Sequence, residues 1–347
     1  MTKTPLVVLF IVLQIVLYAA VWRTVQPKES DFPAFYSAAR VWQQGNNPYD
    51  LEKQCVEQAP IRGVPCLPYA HPPVLLLLLS LVSNDNFVAS YYRWTILLLV
   101  VVIACVFPLY KISGQWQTSI QSILFLPVVI ALALGQDTPF ILLSVLLWLW
   151  LLDTGKDFWS GMVLSLSVIK PQIAILLGVP LLFSRPKAFV GFCAGGLALS
   201  LFSLALVGVD GFRGLLQIVR VMSQGQGYGV NPETMISVTG ILVRLGLNPS
   251  WSWIFFGLAL VFLCAFAPLR GKNSSCVAIT LALFCAPHLH LHDFSLLSAP
   301  ILFLHPLAPV LAAVFMAVAY AFSLHQMAAY ILLGVTAFLL LQKTRST

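Results

Sequence analysis

Apolar runs recur along this chain from Pro5 to Leu341, with no polar block long enough to form a separate soluble domain. That feature excludes most folds. Soluble domains usually carry about 25% charged residues, whereas this 347-residue chain has 9%. In lipid every backbone N–H and C=O must be paired within the protein, which leaves helices or closed barrels. The runs do not alternate residue by residue as barrel strands do. The chain therefore reads as an all-α polytopic membrane protein, with a single domain over residues 1–347.

Pro5–Trp22 reads as a retained first helix, and a first outer loop over residues 23–71 follows it. Several later runs, such as Pro72–Ser83 and Thr234–Leu247, fall short of the roughly 20 residues of a full helical crossing. The expected total is 10 to 13 crossings. A second outer loop is expected over residues 210–233, around "GQGYG". The formal net charge of +7 does not indicate nucleic-acid binding, because the bases sit singly or in pairs at the ends of apolar runs. Lys111, Arg185 with Lys187, Arg270 with Lys272, and Lys343 with Arg345 instead mark the cytoplasmic side. With those bases inside, the loop after the first helix, the Gln136 turn, the Lys170–Pro171 break and the "HLHLHD" segment share the outer face.

Four stretches carry the polar chemistry. In "ESDFPAFYSAARVWQQGNNPYD", beginning at Glu29, Phe32, Phe35, Tyr36, Ala39 and Trp42 recur at helical spacing, with Pro33 suited to a first turn. This predicts an amphipathic helix, either lying on the membrane surface or packed on the bundle. Asp31, just before it, is either a helix-start carboxylate favoured by the dipole or a general base at the membrane border. "GQDTP" places Gln136 and Asp137 in a tight turn between two helices. In "VIKPQ", Lys170 either snorkels to the interface or holds a phosphate. "APHLHLHDFSLL" contributes His288, His292 and Asp293, whose spacing matches no metalloprotease pattern; the expectation is a site without metal. Cys55 and Cys66 lie in the first outer loop and are candidates for a disulfide if that loop meets an oxidising compartment.

In order, "SDFPAFYSAARVWQQGNNPYD", "HPP", "LGQ", "SVIKPQ" with "SRPK", "NPETMISVTGILVRL" and "APHLHLHDFSLL" resemble glycosyltransferase family 87. This is a polyprenol-phosphate-sugar-dependent group that includes mycobacterial phosphatidylinositol-mannoside mannosyltransferases. The resemblance runs from Asp31 to Leu297. The chain is shorter than many members, and Ala286 and His292 stand where small polar and aromatic residues are more usual. The resemblance implies a GT-C bundle in a bacterial plasma membrane with its active site on the outer face. It implies a polyprenyl-phosphate-linked hexose donor, with mannose as the sugar, and a glycolipid or glycan acceptor. Asp31 matches the catalytic base, and Lys170, His288, Arg40 and Gln136 are expected around the donor phosphate. Tyr36, Tyr49, His292 and Asp293 are expected to bind substrate or support the site. The alternative is a transporter or flippase, since broken helices with polar breaks also describe such proteins. The chain shows no internal repeat, and its polar groups gather toward one interface.

Overall fold

The computed structural model describes residues 14–15, 18–19, 22–23, 25–62, 66–223, 231–265, 272–305, 307–321 and 323–345. The expected first span, Pro5–Trp22, lies almost wholly outside these residues, and the "GQGYG" segment lies entirely outside them. Every regular element among the described residues is a helix.

Helix α1, Phe32–Gln43, begins with a proline in its first turn. It is packed into the bundle on most sides: Phe32, Phe35, Ala38, Ala39 and Val41 are buried almost completely. Ser37 on the same helix is buried as well, and Gln58 of α2, Leu51–Arg62, donates a hydrogen bond to its hydroxyl at 2.9 Å. A hydroxyl removed from water needs such a partner. Gln58 also pairs with both backbone groups of Leu67, and Gln54 accepts from the Tyr69 amide. Cys55 and Cys66 are bridged, with Cα atoms 5.3 Å apart. The first outer segment is thus a docked, cross-linked layer rather than a loose loop.

Helix α3, Val74–Val82, rises only about 13 Å at 1.5 Å per residue. It is no full crossing, as the length of the Pro72–Ser83 run suggested. Helix α4, Phe87–Ser113, is long and apolar enough to span. The expected run Ser119–Leu134 breaks into α5, Trp116–Ile123, and α6, Leu126–Ala133, bent by 49°. Pro127 explains the break, because it lacks an N–H and biases its predecessor away from helix. Next come α7, Thr138–Asp153, α8, Asp157–Leu164, α9, Pro171–Gly178, and α10, Leu181–Ser184. Helix α11, Pro186–Ser223, is kinked at Gly208, whose φ is +67°. It continues through Asp210–Ser223, where the sequence suggests an outer loop; Leu215, Leu216, Ile218 and Val219 keep that stretch helical. The remaining helices are α12, Val238–Arg244, α13, Ser252–Ala265, α14, Lys272–Cys285, α15, Ser298–Leu304, α16, Ala308–Ala321, and α17, His325–Arg345.

Among the described residues two helices, α4 and α11, are long and apolar enough to cross a membrane, or three spans if α5 and α6 form one. The shorter apolar helices do not reach that length individually, so the expected 10 to 13 crossings are not reached by length alone. Helices α8 and α11 cross with almost no space between backbones. A Cβ on Gly161 would fall 1.7 Å from the Ala188 carbonyl oxygen, and one on Gly191 1.9 Å from that of Phe158. Small residues at a helix crossing let van der Waals packing replace the missing hydrophobic drive in lipid.

The bundle has two chemically different ends. At one, Lys272 pairs with Asp153 at 2.9 Å and Arg185 with Asp157 at 3.3 Å, and α4 reaches Lys111. The other end collects the starts of α1, α7 and α9. Closing a loop of this size by a disulfide constrains the unfolded chain by about 3 kcal/mol. Reduction, or Cys55→Ser, is expected to raise hydrogen exchange across Leu51–Arg62 while leaving α4 protected. Unchanged exchange in that helix would show that the bridge does not hold the layer.

Candidate active site

Three helices start at one place, each with a proline in its first turn: α1 after Asp31, α7 after Asp137 and α9 after Lys170. Asp31, Asp137 and Lys170 occupy the N-cap positions, yet none caps its helix with its side chain. Aspartate at this position normally accepts from its own helix and stabilises it by about 1 kcal/mol. Here the charged groups are directed elsewhere. Ser30 takes up part of the capping work, accepting from the Phe32 amide at 3.2 Å.

The turn Gly135–Thr138 connects them, with three successive side chains reaching three different segments. Gln136 donates its amide to Asp31 Oδ2 at 2.7 Å. Asp137 Oδ2 lies 2.7 Å from His71 Nδ1. Thr138 donates to Asp293 Oδ1 at 3.1 Å. The turn is itself pinned, since Tyr91 and Trp94 of α4 donate to the carbonyls of Ala133 and Gly135 at 2.6 and 2.8 Å. The Asp31 amide bonds the Leu134 carbonyl at 3.1 Å. Gly135 has φ +67°, and a Cβ there would stand 3.1 Å from Phe32 Cβ. Both the conformation and the close approach of α1 therefore require glycine.

Lys170 and Asp293 form a direct ion pair, with side chains 11% and 2% exposed. Thr138 Oγ1 and His292 Nε2 each lie 3.4 Å from the ammonium, and the His290 amide donates to Asp293 Oδ2 at 2.9 Å. The ammonium is thereby neutralised by a buried carboxylate and is not a free charge. Burial lowers the pKa of His290 against the pull of Asp293 and Asp31. His288 keeps an exposed face, and partial removal from water, then His290 and Lys170, lowers its pKa below the ordinary imidazole value. Both imidazoles are neutral at pH 7, so they serve as hydrogen-bonding groups rather than cations.

The structure thus brings together Asp31, Gln136, Lys170, His292 and Asp293, with His288 beside them through Gln172, which donates to its carbonyl at 3.0 Å. Arg40 stands apart. It lies nine residues along α1 from Asp31, about 13.5 Å by helical rise, and pairs with exposed Asp85 at 2.5 Å. Tyr36 and Tyr49 are buried and use their hydroxyls on the Asn84 and His71 carbonyls, at 2.8 and 2.7 Å. Sequence reasoning assigned no role to His71, Asp137 or Thr138. A signal was available: "DFP", "DTP" and "KP" repeat the pattern of a charged residue ahead of a helix-starting proline. Among the described residues no group of three His, Cys, Asp or Glu is arranged to hold a metal ion.

A cavity of about 540 Å³ is lined by Asn47, Tyr49, Asp50, Asp210, Arg213 and Gln217 among others; none of the residues gathered around Asp31 and Lys170 lines it, and Tyr49, bonded to the His71 carbonyl, is its link to them. Removing one partner of a buried ion pair leaves an uncompensated charge and costs about 3–5 kcal/mol, whereas an apolar replacement of both is often tolerated. Lys170→Met is therefore expected to lower the melting temperature sharply. The double variant Lys170→Met/Asp293→Leu should recover much of that loss. A single variant that melts like the wild type would place the pair in water.

A family model described as glycosyltransferase family 87 matches residues 69–287, which is 219 of the 347 residues. It takes in His71, Gln136, Asp137 and Lys170 and stops just short of His288, while Asp31 and Asp293 fall outside it. No curated protein and no solved structure matches the chain.

Proposed function

The chain belongs to glycosyltransferase family 87, and on that premise we propose that it transfers a hexose, mannose, from a polyprenyl-phosphate donor to a glycolipid or glycan acceptor. Asp31 is the general base. The observation that carries this reading is its carboxylate: it stands at a helix start without capping the helix, and Gln136 holds one oxygen at 2.7 Å. A helix-start carboxylate serving only stability would bond its own first turn. Gln136, expected from the sequence at the donor phosphate, acts instead by fixing the direction of the base.

In the proposed reaction the acceptor hydroxyl gives its proton to Asp31 as its oxygen attacks the anomeric carbon. The bond from that carbon to the phosphate oxygen breaks, and the phosphate leaves with the electron pair. Attack opposite the leaving group inverts the anomeric centre. The leaving group is already a stabilised anion, so the protein's part is positioning and charge stabilisation. The N-terminal ends of α1, α7 and α9 converge where that negative charge develops, and helix N-termini favour anions. The ion pair of Lys170 and Asp293, with Thr138 and His292 around it, forms a rigid polar wall, and His288 is available as a neutral hydrogen-bonding group. No metal enters this scheme.

The cavity beside Tyr49 supports a polar acceptor headgroup. Its volume lies within the roughly 300–1,000 Å³ of small-molecule sites, and its acidic, amide and guanidinium lining suits hydroxyl-rich ligands. The active site is proposed to face the outer side of a bacterial plasma membrane. Two observations support that orientation: the bridged cysteines belong to the layer beside the site, and Lys111, Arg185 and Lys272 lie at the opposite end.

The test is transfer of labelled sugar from polyprenyl-phosphate-mannose to a membrane extract by purified protein. Loss of a general base costs about 10²–10⁴-fold, and Asp31→Asn is expected to lose activity by that factor. Equal turnover by both proteins removes Asp31 from the chemistry.

A further inference from the structure

His71 opens the "HPP" segment, and nothing in the proposed mechanism uses it. Its ring packs against both Phe35 and Tyr69, with centroids 4.6 and 5.5 Å away, and those two rings also touch each other. Phe35 lies one helical turn beyond Asp31, and Asp137 follows Gln136, which holds Asp31, so His71 belongs to the same cluster as the proposed base. Its backbone is also fixed, because the Tyr49 hydroxyl donates to its carbonyl at 2.7 Å. The two ring nitrogens have different surroundings. Nδ1 is buried and lies 2.7 Å from Asp137 Oδ2. Nε2 has no hydrogen-bond partner among the described residues, and the side chain is 21% exposed.

Asp137 is the unusual partner. Its side chain is 0% exposed, and neither carboxylate oxygen has an aligned hydrogen bond among the described residues. A dry carboxylate in that position needs a cation against it, and the imidazole of His71 is the group in contact. Burial alone would raise the Asp137 pKa, but His71, with Lys170 further off, brings it below the ordinary carboxylate value. The pair is thus a buried carboxylate set against one ring nitrogen, with the second nitrogen left free to meet a ligand. A carboxylate behind one imidazole nitrogen fixes the ring so that the other nitrogen addresses a ligand. The neighbouring basic groups do not compete for this role. Lys170 is neutralised by Asp293, and Arg40 is paired with Asp85 away from the centre.

We propose that His71, backed by Asp137, is a phosphate contact of this site, with Nε2–H donating to an oxygen of the lipid-linked phosphate. The proposal rests on the reading of the chain as a transferase that uses a polyprenyl-phosphate donor. It adds an imidazole N–H donor to the cluster that Gln136 and Asp137 tie together around Asp31. Asp137 is a positioning residue and His71 the residue in contact with substrate.

The test uses the full chain in lipid nanodiscs, with decaprenyl phosphate as the probe and inorganic phosphate as a second arm. Intrinsic tryptophan fluorescence reads binding, and melting curves verify folding. A charge-assisted hydrogen bond to phosphate is strong enough that His71→Gln should weaken lipid binding about tenfold or more. His71→Lys, which supplies an N–H donor to phosphate without the ring, should bring binding back to within about threefold of wild type. Undiminished binding by His71→Gln overturns the proposal and leaves the transferase reading intact. Equal weakening in both variants makes the ring structural and overturns it as well. Inorganic phosphate that competes as strongly as the lipid overturns the lipid assignment. If the wild type binds no decaprenyl phosphate, the donor reading and this contact both fall.

Discussion

Charge held out of water has to be partnered, and in this protein one four-residue turn provides most of the partners. Gly135–Thr138 hands Gln136 to Asp31, Asp137 to His71 and Thr138 to Asp293. Each side chain reaches a segment distant in sequence, so the turn fixes the relative positions of α1, the segment before α3, α9 and the histidine-rich stretch. Displacing it would leave several buried polar groups without partners at once, at about 1–3 kcal/mol for each neutral one and more for charges. This is why Tyr91, Trp94 and the conformation of Gly135 hold the turn so closely. The shape of the site follows from electrostatic bookkeeping more than from hydrophobic packing.

That dependence explains which parts could be read in advance. The all-helical architecture, the break at Lys170–Pro171 and the gathering of polar segments at one end follow from local signals: apolar run length, prolines and charge placement. The helix after Asp31 was legible because the aromatic stripe repeats at helical spacing. Its deep burial was not, because Ser37 looks like a solvent-facing residue until Gln58 is known to cover it. The helical form of residues 210–223, within the expected second outer loop, was not legible for a similar reason. Asp210 and Arg213 mark a polar stretch, yet they sit on a helix that continues to Ser223 past the Gly208 kink. Pairings such as Asp137 with His71 or Lys170 with Asp293 join residues 66 and 123 positions apart. No local periodicity encodes them.

The same separation bears on how functional residues are weighed. Read alone, Asp31 is an ordinary helix-start carboxylate and Lys170 a cation waiting for phosphate. In the structure their roles diverge. Asp31 leaves its helix uncapped and is held by an amide that brings no charge of its own, while Lys170 is tied to a buried carboxylate. A base needs a free lone pair on a fixed carboxylate, and a scaffold needs charges that cancel. The imidazole of His71 differs from both: a buried carboxylate stands against one of its nitrogens, and the other has no partner among the described residues.

The location of the centre fits a substrate that straddles two media. A lipid-linked sugar has its chain in hydrocarbon and its reacting carbon at the surface, so catalytic groups at mid-bilayer could not reach it, nor could groups on a detached soluble domain. Helices that begin together at one end of the bundle suit the proposed substrate geometrically. Their apolar bodies remain in the bundle, and their first residues, with charged side chains at the positive ends of the helix dipoles, lie at one end of it. Proline in the first turn of α1, α7 and α9 makes each start abrupt, since it tolerates the helix only on its C-terminal side. Three such starts at one end concentrate positive potential and three ionisable side chains in a small volume, while the apolar lengths of the same helices fix that volume to the bundle.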